Sequence, residues 1–324
     1  MKSTVWYWQM RAALRRSLDE WFAGRDFLHL ETPVLVSMPG VEGHMEYFSS
    51  TWTGYQGEDK RFWLRSSPEI HLKKAVCAGV PRVYHIGKCF RSGGELSPWH
   101  HPEFTMVEWY DTDSTMHPFM DQTEELVRHS ADAVIRAAGT GPVLPGEPFT
   151  RLSVAEAFQR HAGLSLKDED GELGARAVAA GLPSVREADD FETAFYKIML
   201  TRVEPALAGY GAVFLYDYPA SLAVLARTEA GLARRFELYL QGIEISNAYE
   251  ELTDPGENRR RIRVANQVRE REGRIPLQPD ESFFQALETG LPPCSGNALG
   301  FDRLLAVLLG ERTLQPVIPF RVEF

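Results

Sequence analysis

The chain has 324 residues, of which 44% are hydrophobic and 25% charged, as expected for a globular protein. Its 45 acidic residues outnumber its 35 lysines and arginines, and the net charge of -10 provides no general cationic field for a nucleic-acid backbone. A tRNA or DNA partner would therefore need a local basic patch, and we interpret "NRRRIR" (258–263) as a solvated helix face instead. Three cysteines without a C-x-x-C pair predict reduced thiols, and the lack of a signal or spanning segment predicts a cytoplasmic protein without a membrane partner.

The pattern of apolar residues and turn formers predicts a single domain, 1–324, with strands and helices in separate groups. In chain order the predicted elements are a helix at 4–23, strands at 27–35 and 62–66, a helix at 68–79, strands at 82–91 and 103–111, a helix at 118–137, a strand at 212–219, a hairpin at 234–252 turning at Gln241–Gly242, and a strand–helix unit at 296–310. A Gly/Pro-rich stretch and an Ala-rich helical region predict an insertion at about 139–208. This segregation favours an α+β fold with a mostly antiparallel sheet flanked by helices.

The segment "EFTMVEWY" (103–110) places a carboxylate among apolar side chains. Phe104, Glu108 and Tyr110 share one face of the predicted strand. A carboxylate there is costly without a cationic partner, and a simple salt bridge is the more ordinary interpretation of this segment alone. Arg91 ends the partner strand, and arginine suits bidentate capture of carboxylate or phosphate. Together these residues predict a site for a nucleotide and a cationic small molecule.

Two later segments support such a site. Glu244 and Glu251 flank Asn247, and two acidic residues with an amide suit Mg²⁺ that bridges phosphates, although a charged strand with a solvated turn has the same pattern. Arg303 lies in the first turn of an apolar helix, where its guanidinium can meet a phosphate. Gly300 before it would let a ligand ring approach the backbone closely.

These segments carry a family resemblance. "FLHLETPVL", "CFRSGGE…HHPEFTMVEWY" and "GNALGFDRLL" resemble, in order, motifs 1, 2 and 3 of class II aminoacyl-tRNA synthetases. "SSPEIHLKK" and "GIEISNAYEELTD" are most similar to the lysyl-type branch, yet motif 1 begins about 27 residues into the chain and leaves no room for an anticodon-binding domain. The chain thus resembles the elongation factor P–(R)-β-lysine ligase family, truncated paralogues of lysyl-tRNA synthetase. Ala298 supports this resemblance, because lysyl-tRNA synthetases have glycine there.

The resemblance implies an ATP-dependent ligase that uses Mg²⁺ to activate (R)-β-lysine or lysine as an acyl-adenylate. It also implies transfer to a lysine of elongation factor P, a homodimer formed through motif 1, and no tRNA partner. The implied catalytic residues are Arg91, Glu244 and Arg303. The implied substrate-binding residues are Ser67, Pro68, Glu69, Glu108, Tyr110, Asn247, Glu251 and Ala298. Residues implied to bind ATP are Arg91, Ser92, Gly93, Glu95, His101, Phe104, Glu244, Ile245, Gly300 and Arg303, and those implied to bind the metal are Glu244 and Glu251.

Motif 2 departs from the family pattern in its loop. "SGGELSPW" is one residue longer than usual, so that Glu95 takes the place of a glutamate nearer to Arg91, and Trp99 stands where an arginine is usual. These departures leave open a catalytically inactive regulatory paralogue. The motifs are also compatible with a minimal lysyl-type aminoacyl-tRNA synthetase and with an amide ligase like the ammonia-dependent asparagine synthetase. Glu108 and Glu251 suit a cationic substrate better than aspartate, which counts against the amide ligase.

Overall fold

The structure, a computed structural model, describes residues 2–94, 97–141 and 144–322. The strands are β1 (Leu28–His29), β2 (Leu35–Val36), β3 (Ser49–Thr53), β4 (Asp59–Leu64), β5 (Arg82–Phe90), β6 (Glu103–Asp111), β7 (Thr150–Ser153), β8 (Ala212–Pro219), β9 (Thr228–Glu229), β10 (Leu232–Leu240), β11 (Ile243–Glu250) and β12 (Ser295–Gly300). The helices are α1 (Thr4–Ala23), α2 (Glu69–Cys77), α3 (Met116–Ala138), α4 (Val154–Ala162), α5 (Leu173–Ala179), α6 (Phe191–Ile198), α7 (Glu204–Leu207), α8 (Pro255–Arg271), α9 (Glu281–Gly290) and α10 (Phe301–Leu308).

One large sheet organises these elements. Its strand order is β1-β5-β6-β12-β11-β10-β8-β7, and β9 pairs with β10. The β1–β5 and β7–β8 pairs are parallel and the other pairs are antiparallel. A smaller sheet has the order β2-β4-β3. The predicted α+β fold with a mostly antiparallel sheet is confirmed.

The main hydrophobic core lies between one face of the large sheet and helices α1, α3 and α10. Val107 and Trp109 of β6 point into this core and pack near Phe22 of α1. Since successive side chains of a strand point to opposite faces, Glu108 and Tyr110 project from the other face. The alternation in "EFTMVEWY" therefore divides β6 into a core side and a polar side, as its sequence predicts.

The chain turns between β10 and β11 at the predicted residues. Gln241 and Gly242 have φ angles of 51° and 80°, the left-handed conformations that a tight two-residue hairpin turn requires. The pairing of the two strands shifts between Leu238 and Tyr239, which marks a bulge. This bulge changes which face of the sheet the side chains of β11 point to near Glu244, one of the predicted site residues.

The prediction of a single strand at 27–35 is wrong for the middle of this segment. Only its ends are extended and paired, as β1 in the large sheet and β2 in the small one. The carbonyl groups of Thr32 and Pro33 instead accept hydrogen bonds from the buried guanidinium of Arg65, at 2.9 and 3.2 Å. The side chain of Arg65, more than 30 residues away in the sequence, thus takes the place of the neighbouring strand that the local pattern suggests.

Helices α4 to α7 lie in the region from 139 to 208. The sequence pattern missed β7, which pairs in parallel with β8 and attaches this region to the large sheet. Its four residues are too few to show a clear period of two. They lead directly into α4, which Ser153 and Glu156 begin with a reciprocal capping box.

The three cysteines are free, in agreement with the predicted reduced thiols. Cys89 and Cys294 are buried, and burial raises the pKa of the Cys89 thiol to about 12. The thiols therefore remain protonated near neutral pH. As for membranes, no helix in the described ranges combines the length and apolar character needed to cross a bilayer.

Candidate active site

Two rows of side chains cross the polar face of the large sheet. Each row takes one residue from each of the four strands β6, β12, β11 and β10. The strand register aligns the first row as Glu108, Ala298, Asn247 and Glu237. The second row, two residues away, is Tyr110, Gly296, Tyr249 and Arg235. Residues far apart in the chain therefore meet on one face because β6, β12, β11 and β10 are neighbours.

Glu108 is a buried carboxylate held by two hydroxyl groups. Its side chain accepts hydrogen bonds from Ser67 Oγ at 2.7 Å and from the Tyr110 hydroxyl at 2.9 Å. Burial, together with the nearby charge of Glu69, raises the pKa of Glu108 to about 8. None of the ion pairs within the described ranges includes Glu108. The site thus contains a desolvated carboxylate that would gain from a cationic ligand.

Lys73 occupies the neighbouring part of the site. Its Nζ lies 2.6 Å from Glu69 Oε1 and 2.6 Å from Glu251 Oε2, and the lysine side chain is only 1% exposed. Although burial opposes its charge, the two carboxylates raise the pKa of Lys73 above its ordinary value. Burial raises the pKa of Glu251, while Lys73 acts against that rise. We refer to Ser67, Glu69, Lys73, Glu108, Tyr110 and Glu251 as the carboxylate pocket.

Gly296 allows the two sides of this pocket to approach each other. A Cβ atom at this position would lie 2.6 Å from Glu251 Oε1 and closer still to the ring of Tyr110. Any side chain on β12 here would push these two groups apart. The glycine is thus required by close packing and not by an unusual backbone conformation.

A second polar network lies at the far end of the two rows. Glu237 accepts hydrogen bonds from Arg235 at 2.6 Å, from the Tyr218 hydroxyl at 2.5 Å and from the Tyr239 hydroxyl at 2.8 Å. The side-chain amide of Asn247 also donates to it at 3.2 Å. Asn247 thereby links Glu237 to the row that contains Glu108.

Negative charge accumulates beside this network. Burial and the charges of Glu237 and Glu244 raise the pKa of Glu204, at the start of α7, to about 7. Carboxylate oxygens are ligands that a hard cation such as Mg²⁺ prefers, so the chemistry of these donors fits the metal that the family resemblance implies. No three potential ligands in the described ranges are already arranged around one point.

Arg303 connects the motif 3 helix to the loop that precedes β6. Its Nη1 donates to the Glu244 carbonyl at 3.0 Å and lies 3.3 Å from the Glu244 carboxylate. Its Nη2 is 2.9 Å from His100 Nε2, and its Nε donates to the Trp99 carbonyl at 3.3 Å. One guanidinium at the beginning of α10 therefore fixes strand β11 relative to this loop.

Arg91 and Phe104 meet at the end of the β5–β6 pair. The guanidinium carbon of Arg91 lies 5.4 Å from the centre of the Phe104 ring. Arg91 itself is exposed, and its backbone N–H donates to the Pro102 carbonyl at 3.0 Å. We refer to Arg91, Phe104, Glu244 and Arg303 as the arginine region.

A family model of class II tRNA synthetases (D, K and N) matches residues 3–323. Similar proteins include the elongation factor P–(R)-β-lysine ligases of Yersinia enterocolitica, 34% identical over 96% of this chain and 94% of the relative. Those of Hamiltonella defensa and Salmonella paratyphi B are 32% and 33% identical, over 97% of this chain and 94% of each relative. The chain belongs to the elongation factor P–(R)-β-lysine ligase family.

Many residues that the sequence singled out for the substrate lie together. Ser67, Glu69, Glu108, Tyr110 and Glu251 form the carboxylate pocket with Lys73. Pro68 precedes α2 as its N-cap residue, and Asn247 and Ala298 lie in the row of Glu108. Their roles toward a ligand remain predictions.

Glu244 and Glu251, the two residues predicted to bind metal, lie too far apart to hold one ion between them, and a metal contact by either residue remains a prediction. An extended chain rises about 3.3 Å per residue, which places these two residues roughly 20 Å apart along β11. Glu251 pairs with Lys73, whereas Glu244 lies near Arg303. The two residues are seven positions apart in the sequence. That spacing suggested a pair because it does not show that the segment between them is extended.

The two histidines of the motif 2 loop take different positions. His100 contacts Arg303, whereas the ring of the predicted nucleotide ligand His101 lies 2.6 Å from the Glu103 carbonyl and 3.3 Å from that of Val322. His100 is therefore the histidine beside the motif 3 arginine. A nucleotide contact by His101 remains a prediction.

Several other residues predicted to bind ATP are distinguished by their backbone and not by their side chains. Ile245 has its side chain in the main core, so that only its backbone faces a ligand. Ser92 donates its backbone N–H to the Glu46 carbonyl at 3.0 Å, and Gly93 follows with a φ of 65°. Gly300 is the N-cap residue of α10. Glu95 lies outside the described residues.

Several residues of the site escape prediction from the sequence. Lys73 follows Glu69 by four residues in "SPEIHLKK", a helical spacing that places both on one side of α2 and was available as a signal. Arg235 and Glu237 alternate in "RRFELYL", and this period of two also indicates a shared face. Glu204 had no such signal, because only the folding of the 139–208 region brings it to the sheet.

Proposed function

We propose that this protein activates (R)-β-lysine or lysine with ATP and transfers the aminoacyl group to a lysine of elongation factor P. The proposal depends above all on Glu108, a buried carboxylate without an ion-pair partner in the described ranges. The names of the relatives support the same substrate and partner. A diamino acid supplies the cation that such a carboxylate lacks.

The proposed first step forms an acyl-adenylate. A carboxylate oxygen of the amino acid attacks the α-phosphorus of ATP, and the bond from that phosphorus to the leaving pyrophosphate breaks. We propose that Arg91, which directly follows β5, holds the attacking carboxylate and the α-phosphate, since guanidinium groups bind both bidentately. Catalysis then comes from orientation and from electrostatic stabilisation, without a covalent enzyme nucleophile.

The adenine ring is proposed to lie between Phe104 and Arg303. Aromatic and guanidinium planes both stack on nucleobases, and Arg303 is anchored beside Glu244 at the start of α10. We propose that Glu244 and Glu237 hold Mg²⁺, because both increase the negative charge around Glu204. Bound there, the ion would supply positive charge for the phosphates of ATP.

The second step transfers the aminoacyl group to protein. The amine of the target lysine attacks the acyl carbonyl carbon, the carbon–oxygen bond to AMP breaks, and an amide forms. The attacking amine loses a proton and AMP leaves as the phosphate anion. We propose that the enzyme is a cytoplasmic homodimer and that tRNA is not its acceptor, since its net charge of -10 opposes nucleic-acid binding.

The acceptor is tested by mass spectrometry of elongation factor P after incubation with enzyme, ATP, Mg²⁺ and (R)-β-lysine. The proposal predicts one added aminoacyl group, located by peptide mapping to a lysine and absent when ATP is omitted. A parallel reaction with lysine-accepting tRNA tests whether the enzyme is instead a minimal synthetase. If the tRNA is charged while elongation factor P stays unmodified, the proposed acceptor is overturned.

A further inference from the structure

Lys73 is a cation that the chain itself places within the carboxylate pocket. Its ammonium lies 2.6 Å from Glu69 and 2.6 Å from Glu251, and its side chain is almost fully buried. The proposed function has the substrate's ammonium groups bind in this same cluster. A side chain therefore already occupies one of the cation positions that the carboxylates offer.

The third carboxylate belongs to the same connected group. Ser67 Oγ donates to Glu108 at 2.7 Å and accepts from the backbone N–H of Glu69 at 2.9 Å. Glu69, Glu108 and Glu251 thus form one cluster that carries three negative charges when Glu108 is ionised, the form that binds an ammonium group. Lys73 contributes a single positive charge, which leaves two negative charges unbalanced.

Other buried cations beside the two rows do not balance this charge. Arg65 donates to the carbonyl groups of Thr32 and Lys88, at 2.9 and 3.0 Å. Arg235 pairs with Glu237 at 2.6 Å. Across the described ranges, Lys73 accounts for all lysine or arginine ion pairs with the three carboxylates.

We infer that Lys73 sets the number of ammonium groups that the carboxylate pocket accepts, an inference that rests on the proposed diamino-acid substrate. The two remaining negative charges match the two ammonium groups of a diamino acid. A monoamino acid leaves one carboxylate uncompensated, and a buried charge without a partner is strongly disfavoured. Without Lys73, the pocket would have one carboxylate too many even for the diamino acid. Lys73 is thus a positioning and specificity-determining residue that acts through Glu69 and Glu251.

The test uses variants that change the charge of the pocket by single units. Pyrophosphate exchange gives kcat/KM for the diamino substrate and for a monoamino analogue with a methyl group in place of the terminal ammonium. Their ratio measures charge selectivity and does not depend on the fraction of folded enzyme. Glu251→Gln leaves one unbalanced negative charge and should lower this ratio by about tenfold or more, since a desolvated charge pair is lost. The double variant Lys73→Met/Glu251→Gln restores two negative charges and should recover most of the ratio.

Two controls separate charge from packing. Lys74→Met changes the next residue of α2, whose Nζ pairs with Asp280 outside the pocket, and should leave the ratio unchanged. ATP affinity, measured by calorimetry, should stay the same in all variants because the arginine region is not altered. Lys73→Met alone leaves Glu69 and Glu251 unpaired, so the double variant carries the test if that single variant does not fold.

Each outcome decides the inference. A ratio in the double variant at or below that of Glu251→Gln would overturn the role of Lys73 while leaving the proposed function intact. A double variant that does not fold, when Glu251→Gln does, would also overturn it by showing that Lys73 serves packing alone. A wild-type enzyme without preference for the diamino acid would overturn both the inference and the proposed substrate.

Discussion

The carboxylate pocket and the arginine region differ in how completely they are assembled. In the carboxylate pocket, Glu108, Lys73 and Glu251 are each at most 2% exposed and are held by hydroxyl groups or ion pairs. In the arginine region, Arg91 is exposed and Phe104 half-buried. The part proposed to recognise the amino acid is therefore preorganised, whereas the part proposed to bind the nucleotide presents one exposed cation, Arg91. Selectivity should depend on fixed buried charges, and catalysis on arginines that engage ATP.

The largest effect is expected from Arg303→Ala in the arginine region. Pyrophosphate exchange should fall by about 10²-fold or more, because the variant loses the proposed stacking partner of adenine and the guanidinium that fixes Glu244 relative to the motif 2 loop. Arg259→Ala, which removes an exposed pair between α8 and Glu281 of α9, is the matched control and should remain active. Full activity of a folded Arg303→Ala variant would remove Arg303 from the nucleotide site.

Glu108→Gln tests the carboxylate pocket. Loss of one member of a desolvated charge pair costs about 2–5 kcal/mol, so the KM for the diamino substrate should rise at least about 30-fold. The affinity for ATP should change little. Glu103→Gln, on the same strand but in a half-exposed pair with Lys88, provides the control. Equal weakening of both ligands in Glu108→Gln would indicate a structural role for Glu108.

Ala298→Gly tests how the same pocket distinguishes lysine isomers. Ala298 lies between Glu108 and Asn247 in the first row, where its methyl group narrows the space beside the substrate. A difference of one methylene is worth roughly 1–3 kcal/mol in a pocket, or about 10–200-fold in specificity. The ratio of kcat/KM for α-lysine to that for (R)-β-lysine should therefore increase, while ATP affinity stays constant. An unchanged ratio would move the origin of isomer preference to Ser67–Glu69.

A smaller effect is expected from pH. Burial and Glu69 raise the pKa of Glu108 to about 8, so below that pH the free enzyme holds this carboxyl protonated and neutral. Binding of an ammonium group requires its deprotonation, and the affinity for the diamino substrate should rise by up to about tenfold per pH unit until pH 8. The substrate amine, with a pKa near 10.4 in lysine, stays charged over this range. Binding titrations between pH 6.5 and 8 should show this slope in the wild type and lose most of it in Glu108→Gln.

The sequence predicted local and repeating features better than long-range ones. The alternation in "EFTMVEWY" located Glu108 and Tyr110 correctly on the polar face, and Gln241–Gly242 marked a turn that the structure contains. The sequence grouped Glu244 with Glu251, although β11 separates them, because spacing along a chain does not give a distance in space. Arg65 likewise interrupts the strand predicted at 27–35 through contacts with Thr32 that no local pattern encodes.

The carboxylate pocket illustrates a second limit. Its acidic members were identified through family motifs, but the partner of each carboxylate depends on how α2 packs against the sheet. Its spacing from Glu69 puts Lys73 on the Glu69 side of α2 but does not show that its charge is buried, and its neighbour Lys74 is partly exposed and pairs with Asp280. Only the fold distinguishes the lysine that balances the pocket from the lysine that does not.

The buried carboxylate pocket is proposed to select a diamino acid for activation by ATP. The most direct measurement is ATP–pyrophosphate exchange with the wild-type enzyme and α-lysine, (R)-β-lysine, (S)-β-lysine and a monoamino analogue. We expect exchange to depend on the amino acid, to be highest with (R)-β-lysine and to be at least about tenfold lower with the monoamino analogue, in keeping with diamino-acid selection. Exchange that is equally fast with the monoamino analogue, or absent with every diamino acid, would contradict it.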